Sequence, residues 1–366
     1  MKKFFSIISF LLLQFCGFSQ ATKYSNEFMN LGVGARALGM SNTQVSLTND
    51  GTAGYWNPAG LLNMSRDREL NLMHAEYFAG IAKYDYGSFA IKIDENSAAA
   101  LSVIRFGVDD IPNTTELIDN QGNIDYNRIT SFSAADYGIL FSYARKLPSI
   151  EGLRLGANVK VIRRVIGDFA GAWGFGIDAG AQYSYKNWNF GIMGRDITST
   201  FNAWSYDLSD RMIEVFQQTG NDIPTNSLEI TLPKFIVGAS HKFNLPKDLS
   251  ATVALDLDIT TDRKRNVLIS GNPFSIDPHF GVELGYNNLI FVRGGFGNLQ
   301  QESDFLRDNF WSYQFNVGVG VIIKKILAID YALSDIGDKS IAVYSNIFSL
   351  KLFLNRSESK KEASSF

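Results

Sequence analysis

The sequence predicts an all-β chain, a transmembrane antiparallel β-barrel of about fourteen strands carrying an N-terminal plug, or hatch, in its lumen. Three observations lead there. The chain opens on an export signal, apolar and polar residues alternate in stretch after stretch behind it, and the connections between those stretches are short and long in turn.

The export signal comes first. Lys2 and Lys3 give a positive start, Phe4 to Phe15 an apolar stretch, and Gly17-Phe18-Ser19-Gln20 a small and polar exit before Ala21. That apolar core is too short to cross a bilayer as a helix. Cys16 raises the rival reading of a lipoprotein signal, which wants a small residue just before the Cys, and Phe15 stands there. The expected division is residues 1–20 signal peptide, 21–68 plug, 69–355 barrel and 356–366 polar C-terminal tail.

Composition agrees with strands rather than helices in the membrane. Of 366 residues 45% are hydrophobic, far from the level of a helical membrane protein, while aromatics reach 13% and Gly counts 32. Such a balance suits strands in which only every second side chain meets lipid. Past residue 21 no run approaches eighteen apolar residues, so a membrane location requires a closed barrel, whose backbone groups pair between strands. Removing the signal takes away the one Cys, which excludes disulfides and thiolate chemistry. It also takes away two Lys and no acid, so the net charge of −3 becomes −5, which argues against nucleic acid as a partner.

The alternation is plainest in Trp311-Ser-Tyr-Gln-Phe-Asn-Val-Gly-Val-Gly-Val321, where every odd position is apolar or aromatic and every even one polar or Gly. It recurs from Trp173 to Tyr185 against Gly174, Gly176, Asp178, Gly180, Gln182 and Ser184. It recurs again from Ala251 to Ile259, with Asp256 and Asp258 on the opposite face. The strands expected are 69–78, 82–94, 98–107, 135–147, 153–166, 172–185, 188–196, 230–243, 249–261, 279–286, 289–297, 310–323, 326–333 and 346–355. Tight connections (Glu95-Asn96-Ser97, Lys186-Asn187, Asn287-Asn288, Lys324-Lys325) follow even strands. Long ones (108–134, 197–229, 262–278, 298–309, 334–345) follow odd strands. This sorting sets both termini in the periplasm and the long loops outside. Within one of those loops, Ser209 to Gln218 has a capping residue and helical spacing of Met212, Val215 and Phe216.

Residues 24 to 68 do not alternate. Small residues such as Gly34, Ala35, Ala37 and Gly39 let a plug approach the wall, and Arg36 is expected to meet a lumen acid such as Asp178, Asp256 or Asp258. Gly34-Ala-Arg-Ala-Leu-Gly-Met40, followed by Tyr55-Trp-Asn-Pro-Ala-Gly-Leu61, resembles the PorV/PorQ family, part of a wider group that includes the FadL-type long-chain fatty-acid transporters. The resemblance rests on Gly34, Ala35, Arg36, Ala37, Gly39, Met40, Trp56, Asn57, Pro58, Ala59 and Gly60. It implies a FadL-like barrel of fourteen strands, filled by a hatch that contains the Asn-Pro-Ala element. At Asn57-Pro58 the residues themselves specify a rigid corner, because Pro fixes one dihedral and keeps the residue before it extended. Such a corner either seats the plug or gates a passage beside it.

Catalytic constellations are missing. His74, His241 and His279 fall on three different expected strands, and neither a His-Glu-x-x-His nor a Gly-x-Ser-x-Gly sequence occurs. No enzyme activity, cofactor or metal is expected. Asp335 and Asp338 in an outer loop fall short of a calcium loop, and Arg163 and Arg164 are expected to meet lipopolysaccharide phosphates or a loop. The resemblance implies an outer-membrane accessory barrel of the type IX secretion system, binding the translocon or its cargo and attachment partners. The alternatives are a FadL-like transporter of hydrophobic small molecules, with Phe28, Met29, Leu31, Leu38, Met40 and Tyr55 lining a pocket or packing the plug, and a structural anchor for a surface complex.

Overall fold

Where the lipid-side residues are apolar and the inner ones small or polar, the backbone extends and pairs with its neighbours. The computed structural model describes residues 25–119, 121–304, 307–336 and 344–354. The signal peptide, residues 21–24, Asp338 and the tail at 356–366 lie outside them. The first half contributes Arg68–Tyr77 (β1), Ala82–Lys92 (β2), Ser97–Asn113 (β3), Thr130–Lys146 (β4), Leu153–Ile166 (β5), Ala170–Tyr185 (β6), Trp188–Arg195 (β7) and Thr200–Tyr206 (β8). The second contributes Ser227–Thr231 (β9), Lys234–Leu245 (β10), Leu249–Thr260 (β11), Ser275–Tyr286 (β12), Ile290–Asp304 (β13), Arg307–Ile323 (β14), Leu327–Ile336 (β15) and Ser345–Leu354 (β16).

All pairings between these strands are antiparallel, and β1 pairs with β16 from Arg68↔Leu354 to Glu76↔Asn346, so the sheet closes into a ring. β7 and β8 are two pieces of one crossing strand. The upper half of β6 pairs with β8 and its lower half with β7. β9 and β10 likewise form the next crossing strand, interrupted at Leu232-Pro233, where Pro has no N–H to give the ladder. Sixteen segments thus make the fourteen crossings of a closed barrel.

Side chains alternate as the period predicts. On β6, Trp173, Phe175, Tyr183 and Tyr185 lie exposed on the outside, while Gly174, Gly176, Asp178 and Gln182 are buried within. Asp178 and Asp256 are buried on the inner face, and Asp258 points the same way. His74, His241 and His279 sit on β1, β10 and β12.

Several strands run further than expected. The connection expected at 108–134 shrinks to 114–129, and within the one expected at 298–309 β13 runs on to Asp304 and β14 begins at Arg307. β-Bulges explain the misreading: the register shifts between Val108 and Ile111 and between Gly297 and Gln300. A bulge swaps inner and outer parity, so the apolar period ends while the hydrogen-bond ladder continues. Inside 197–229 lie β8 and β9, and between them the helix Asp210–Gln218, capped by Ser209 Oγ accepting from the Met212 N–H at 3.3 Å.

Candidate functional site: the plug against the barrel wall

Residues 25–67 fill the lumen. Short helical turns at Glu27–Asn30, Ala35–Leu38, Ala53–Trp56 and Pro58–Asn63 are joined by irregular backbone. Val33, Ala35, Met40, Ala53, Asn57, Ala59 and Leu61 have no exposed surface. Irregular backbone at this depth needs partners for its polar groups, and the wall supplies them. Glu69 accepts from the Gly51 N–H at 2.9 Å, Ser349 from the Ala35 N–H at 2.8 Å and Asp256 from the Val45 N–H at 2.9 Å. Asn158 donates to the Gly54 carbonyl at 2.8 Å, and Gln182 to those of Val45 and Thr48 at 3.2 Å each.

Asn57 is the tightest of these junctions. Its Nδ2 donates to the carbonyls of Val45 at 2.9 Å, Ala181 at 3.0 Å and Ile192 at 3.3 Å, while its Oδ1 accepts from the Ala59 N–H at 3.2 Å. One side chain therefore ties two plug segments to the β6–β7 ladder. It is held extended (φ −162°) as the residue before Pro58, which starts the next helical turn. Trp56 Nε1 donates to the Val33 carbonyl at 2.9 Å, and Tyr55 OH donates to that of Met29 at 2.6 Å.

Close approach is achieved chiefly by glycines of the wall. A Cβ on Gly191 would lie 2.2 Å from the Val45 carbonyl oxygen, one on Gly295 2.3 Å from the Ser41 nitrogen, and one on Gly156 2.4 Å from the Ala59 nitrogen. Gly39 of the plug meets Gly318 of β14 backbone to backbone, its missing Cβ 3.1 Å from the Gly318 Cα. Gly34 has φ +89°, a conformation that Gly adopts without strain.

Charges fix the plug's orientation. Arg36 does not reach Asp178, Asp256 or Asp258. It forms a fork with Glu283 on β12, Nε and Nη2 each 2.9 Å from a carboxylate oxygen, and donates to Asn49 at 3.0 Å. Glu283 also receives Arg293 at 2.7 Å, which in turn reaches Asp330 at 2.6 Å. The three acids named above have partners on their own wall or in another plug segment. Asp178 pairs with Lys160 at 2.7 Å, Asp258 with Lys234 at 2.5 Å, and Asp256 takes the Val45 amide. Lys351 of β16 donates to Asp50. Burial pushes the Asp50 carboxyl up, but Lys351, Thr52 and Arg36 outweigh it and hold the group at about 2.

Phe28, Met29, Leu31, Leu38 and Tyr55 do not line an open pocket. They pack with Met73, Tyr84, Ile104, Leu140 and Ile162 of the wall in one apolar cluster, and Met40 joins a separate one with Leu47 and Ala254. The cavity bordered by Met29 and Tyr55 measures 20 Å³, room for about one water. Arg195 of β7, which sequence reasoning passed over, closes this region. It donates to the carbonyls of Met29 and Tyr55 at 3.2 Å each. Its place on the lumen parity of β7 (Asn189, Gly191, Met193, Arg195) was the available signal.

Immediately after Arg195 the wall breaks. Asp196 and Ser199 have positive φ, and Asp196–Ser199 bulge from the ladder, with the Ile197 N–H still donating to the Ile177 carbonyl at 3.0 Å and Thr198 Oγ1 accepting from the Ile177 N–H at 3.2 Å, before β8 resumes at Thr200. Lys160 bridges the break from inside, 2.7 Å from Asp178 and 2.6 Å from Asp196. Higher on the wall Arg163 points outward over Trp173, its guanidinium carbon 5.1 Å from the ring, whereas Arg164 points inward to Asp136 at 2.8 Å.

The closed fourteen-stranded ring is a fold shared with known outer-membrane barrels. The chain is similar to the toluene transporter TbuX of Ralstonia pickettii (15% identity, TM-score 0.55, 88% of this chain and 99% of that one). It is also similar to the toluene transporter TodX of P. putida (14%, 0.56, 89% and 99%) and to a FadL homologue of Pseudomonas aeruginosa (14%, 0.52, 87% and 97%). No protein-family model matches the sequence, and no curated protein matches it.

Proposed function

We propose that this chain is a non-enzymatic outer-membrane barrel that passes small hydrophobic molecules, with both termini in the periplasm, the long loops outside, and lipid and lipopolysaccharide around it. The break at Asp196–Ser199 carries the reading. It is a bulge that shifts the register of the wall beside the apolar plug cluster, held across to β6 by the Ile197 N–H on the Ile177 carbonyl at 3.0 Å, and there a ligand that dissolves in hydrocarbon can leave sideways once the bulge gives way. Similarity in fold to the two toluene transporters supports it. Because the cluster is filled, passage requires Phe28, Met29 and Tyr55 to yield, and Arg195 is the group that holds the latter two. The test is uptake of radiolabelled toluene by vesicles containing the purified barrel. Uptake should exceed that of empty vesicles and vanish when Ile197, Thr198 and Ser199 are deleted to bring β7 and β8 into one register against β6. Equal uptake by protein-containing and empty vesicles defeats the proposal.

The filled interior favours a second reading, that of an accessory barrel of the type IX secretion system working through its surfaces. The Gly34–Met40 and Tyr55–Leu61 segments support it by their resemblance to the PorV/PorQ family. Isolation of the tagged protein in mild detergent should then bring secretion components with it. Recovery of the barrel alone, with secretion unaffected by its deletion, removes this reading. A barrel that merely anchors a surface complex differs from it only in the neighbours recovered.

A further inference from the structure

On most of the ring the outward residues form a tall apolar belt. β14 presents Val321, Val319, Val317, Phe315, Tyr313 and Trp311 in succession, all exposed. Strands β1–β3 do not. Above Leu72, β1 turns His74 and Glu76 outward, β2 carries Lys83 and Asp85, and β3 carries Arg105 and Asp109. The first four side chains are 43–53% exposed, and the last two 30% and 36%.

These residues are set opposite one another by the strand register. His74 faces Asp85, Asp85 faces Arg105, and Glu76 faces Lys83. His74 Nδ1 lies 2.7 Å from Asp85, Lys83 lies 3.2 Å from Asp109, and Arg105 lies 3.5 Å and 3.7 Å from Asp85 and Asp109. His74 is only six residues above Arg68, where β1 begins. At about 3.4 Å per residue and a tilt near 40°, that is roughly 16 Å up a belt that should stand roughly 25 Å tall. A charged network on the outer wall at this height has no place in hydrocarbon.

We infer that the outer face of β1–β3 is a docking surface for a second integral outer-membrane protein, of different sequence, whose facing wall is polar with an excess of cations. Charge selects this occupant. Three carboxylates (Glu76, Asp85, Asp109) stand against two cations (Lys83, Arg105), a net of −1 with His74 neutral. Lipopolysaccharide phosphates would be repelled. A second copy related by a two-fold axis would bring two faces of the same net charge together. A barrel that passes small molecules and one that only anchors can both present this wall, so the surface stands apart from the transport reading.

The lone Cys lies at position 16 in the leader, so single-Cys labelling of the mature chain is clean. Glu76→Cys on the patch and Val319→Cys on the apolar wall are each coupled to benzophenone maleimide in native membranes and irradiated. Position 76 should give one discrete adduct with a protein other than this chain, reduced at least tenfold when Asp85→Lys and Asp109→Lys are added. Position 319 should give lipid adducts only. Heat-modifiable migration on unboiled gels shows that each variant still closes its barrel. Lipid adducts alone at position 76, an adduct between two copies of this chain, or an adduct indifferent to charge reversal each overturn the inference.

Discussion

Arg195 lies over the ring of Tyr55, its guanidinium carbon 4.4 Å from the ring centroid, while donating to the Tyr55 backbone carbonyl at 3.2 Å. The same guanidinium is 5.7 Å from the Trp56 ring and bonds the Met29 carbonyl, so a single wall residue clasps three positions of the plug beside the break in the barrel. Arg195→Met keeps the bulk and removes the donors, taking a partner from the Tyr55 carbonyl and leaving the Met29 carbonyl to the Tyr55 hydroxyl. A loss of about 2 kcal/mol is expected. Differential scanning calorimetry in detergent should show a lower transition temperature, and toluene uptake should rise as the plug loosens.

Asn57→Asp should be more damaging than Asn57→Ala. The alanine variant removes the Asn57 donor from the carbonyls of Ala181 and Ile192 and leaves that of Val45 to Gln182, at about 1–3 kcal/mol. The aspartate variant sets a carboxylate against those same oxygens. Limited trypsin digestion of the folded barrel reads the order, with the plug of Asn57→Asp cut fastest, then Asn57→Ala, then wild type.

Wall glycines should divide by what they face. Gly191→Ala drives a methyl into the Val45 backbone and should displace the plug locally, costing about 1–3 kcal/mol. Gly294→Ala, whose new methyl would meet nothing within 4 Å, should be neutral. Equal transition temperatures for the two variants would show that the plug does not rest on Gly191.

Asp50 predicts an acid-sensitive plug. Its carboxyl is held at about 2, below the ordinary value of 3.8, so the stabilisation is fully present above about pH 4 and is lost as pH falls through 2. The difference amounts to about 2 kcal/mol. Between pH 4 and 2 the plug of the wild-type barrel should become accessible to pepsin. Lys351→Met should shift that onset to higher pH by about one unit or more.

The ring was legible because lipid demands one chemistry outside and the crowded interior another. Trp311 to Val321 displays both in eleven residues. The helix after Ser209 was legible too, through its cap. The interrupted seventh and eighth crossings were not, because residues 197–229 read as one loop and Leu232-Pro233 as the start of an unbroken strand, and only their neighbours across the ladder show β8 and β9 continuing the wall. Nor could the partner of Arg36 be read. Asp178, Asp256 and Glu283 are all inward-facing acids, and which of them an arginine meets depends on where the plug sits around the ring. The glycines at 191, 281 and 295 were visible as inner-face positions, but their reason, a backbone pressed against each, belongs to the assembled structure.

The seam between β1 and β16 has an implication for how the molecule is made. Ser349 and Lys351 belong to one of the last strands to be synthesised, yet each bonds a residue of the segment that emerges first, Ala35 and Asp50. Ends of the polypeptide more than three hundred residues apart therefore meet at the suture. A nascent chain that zips its final edge before the leading segment has entered leaves Lys351 stranded over a hollow interior. A loaded interior therefore satisfies the suture's own polar groups, which an empty shell would not.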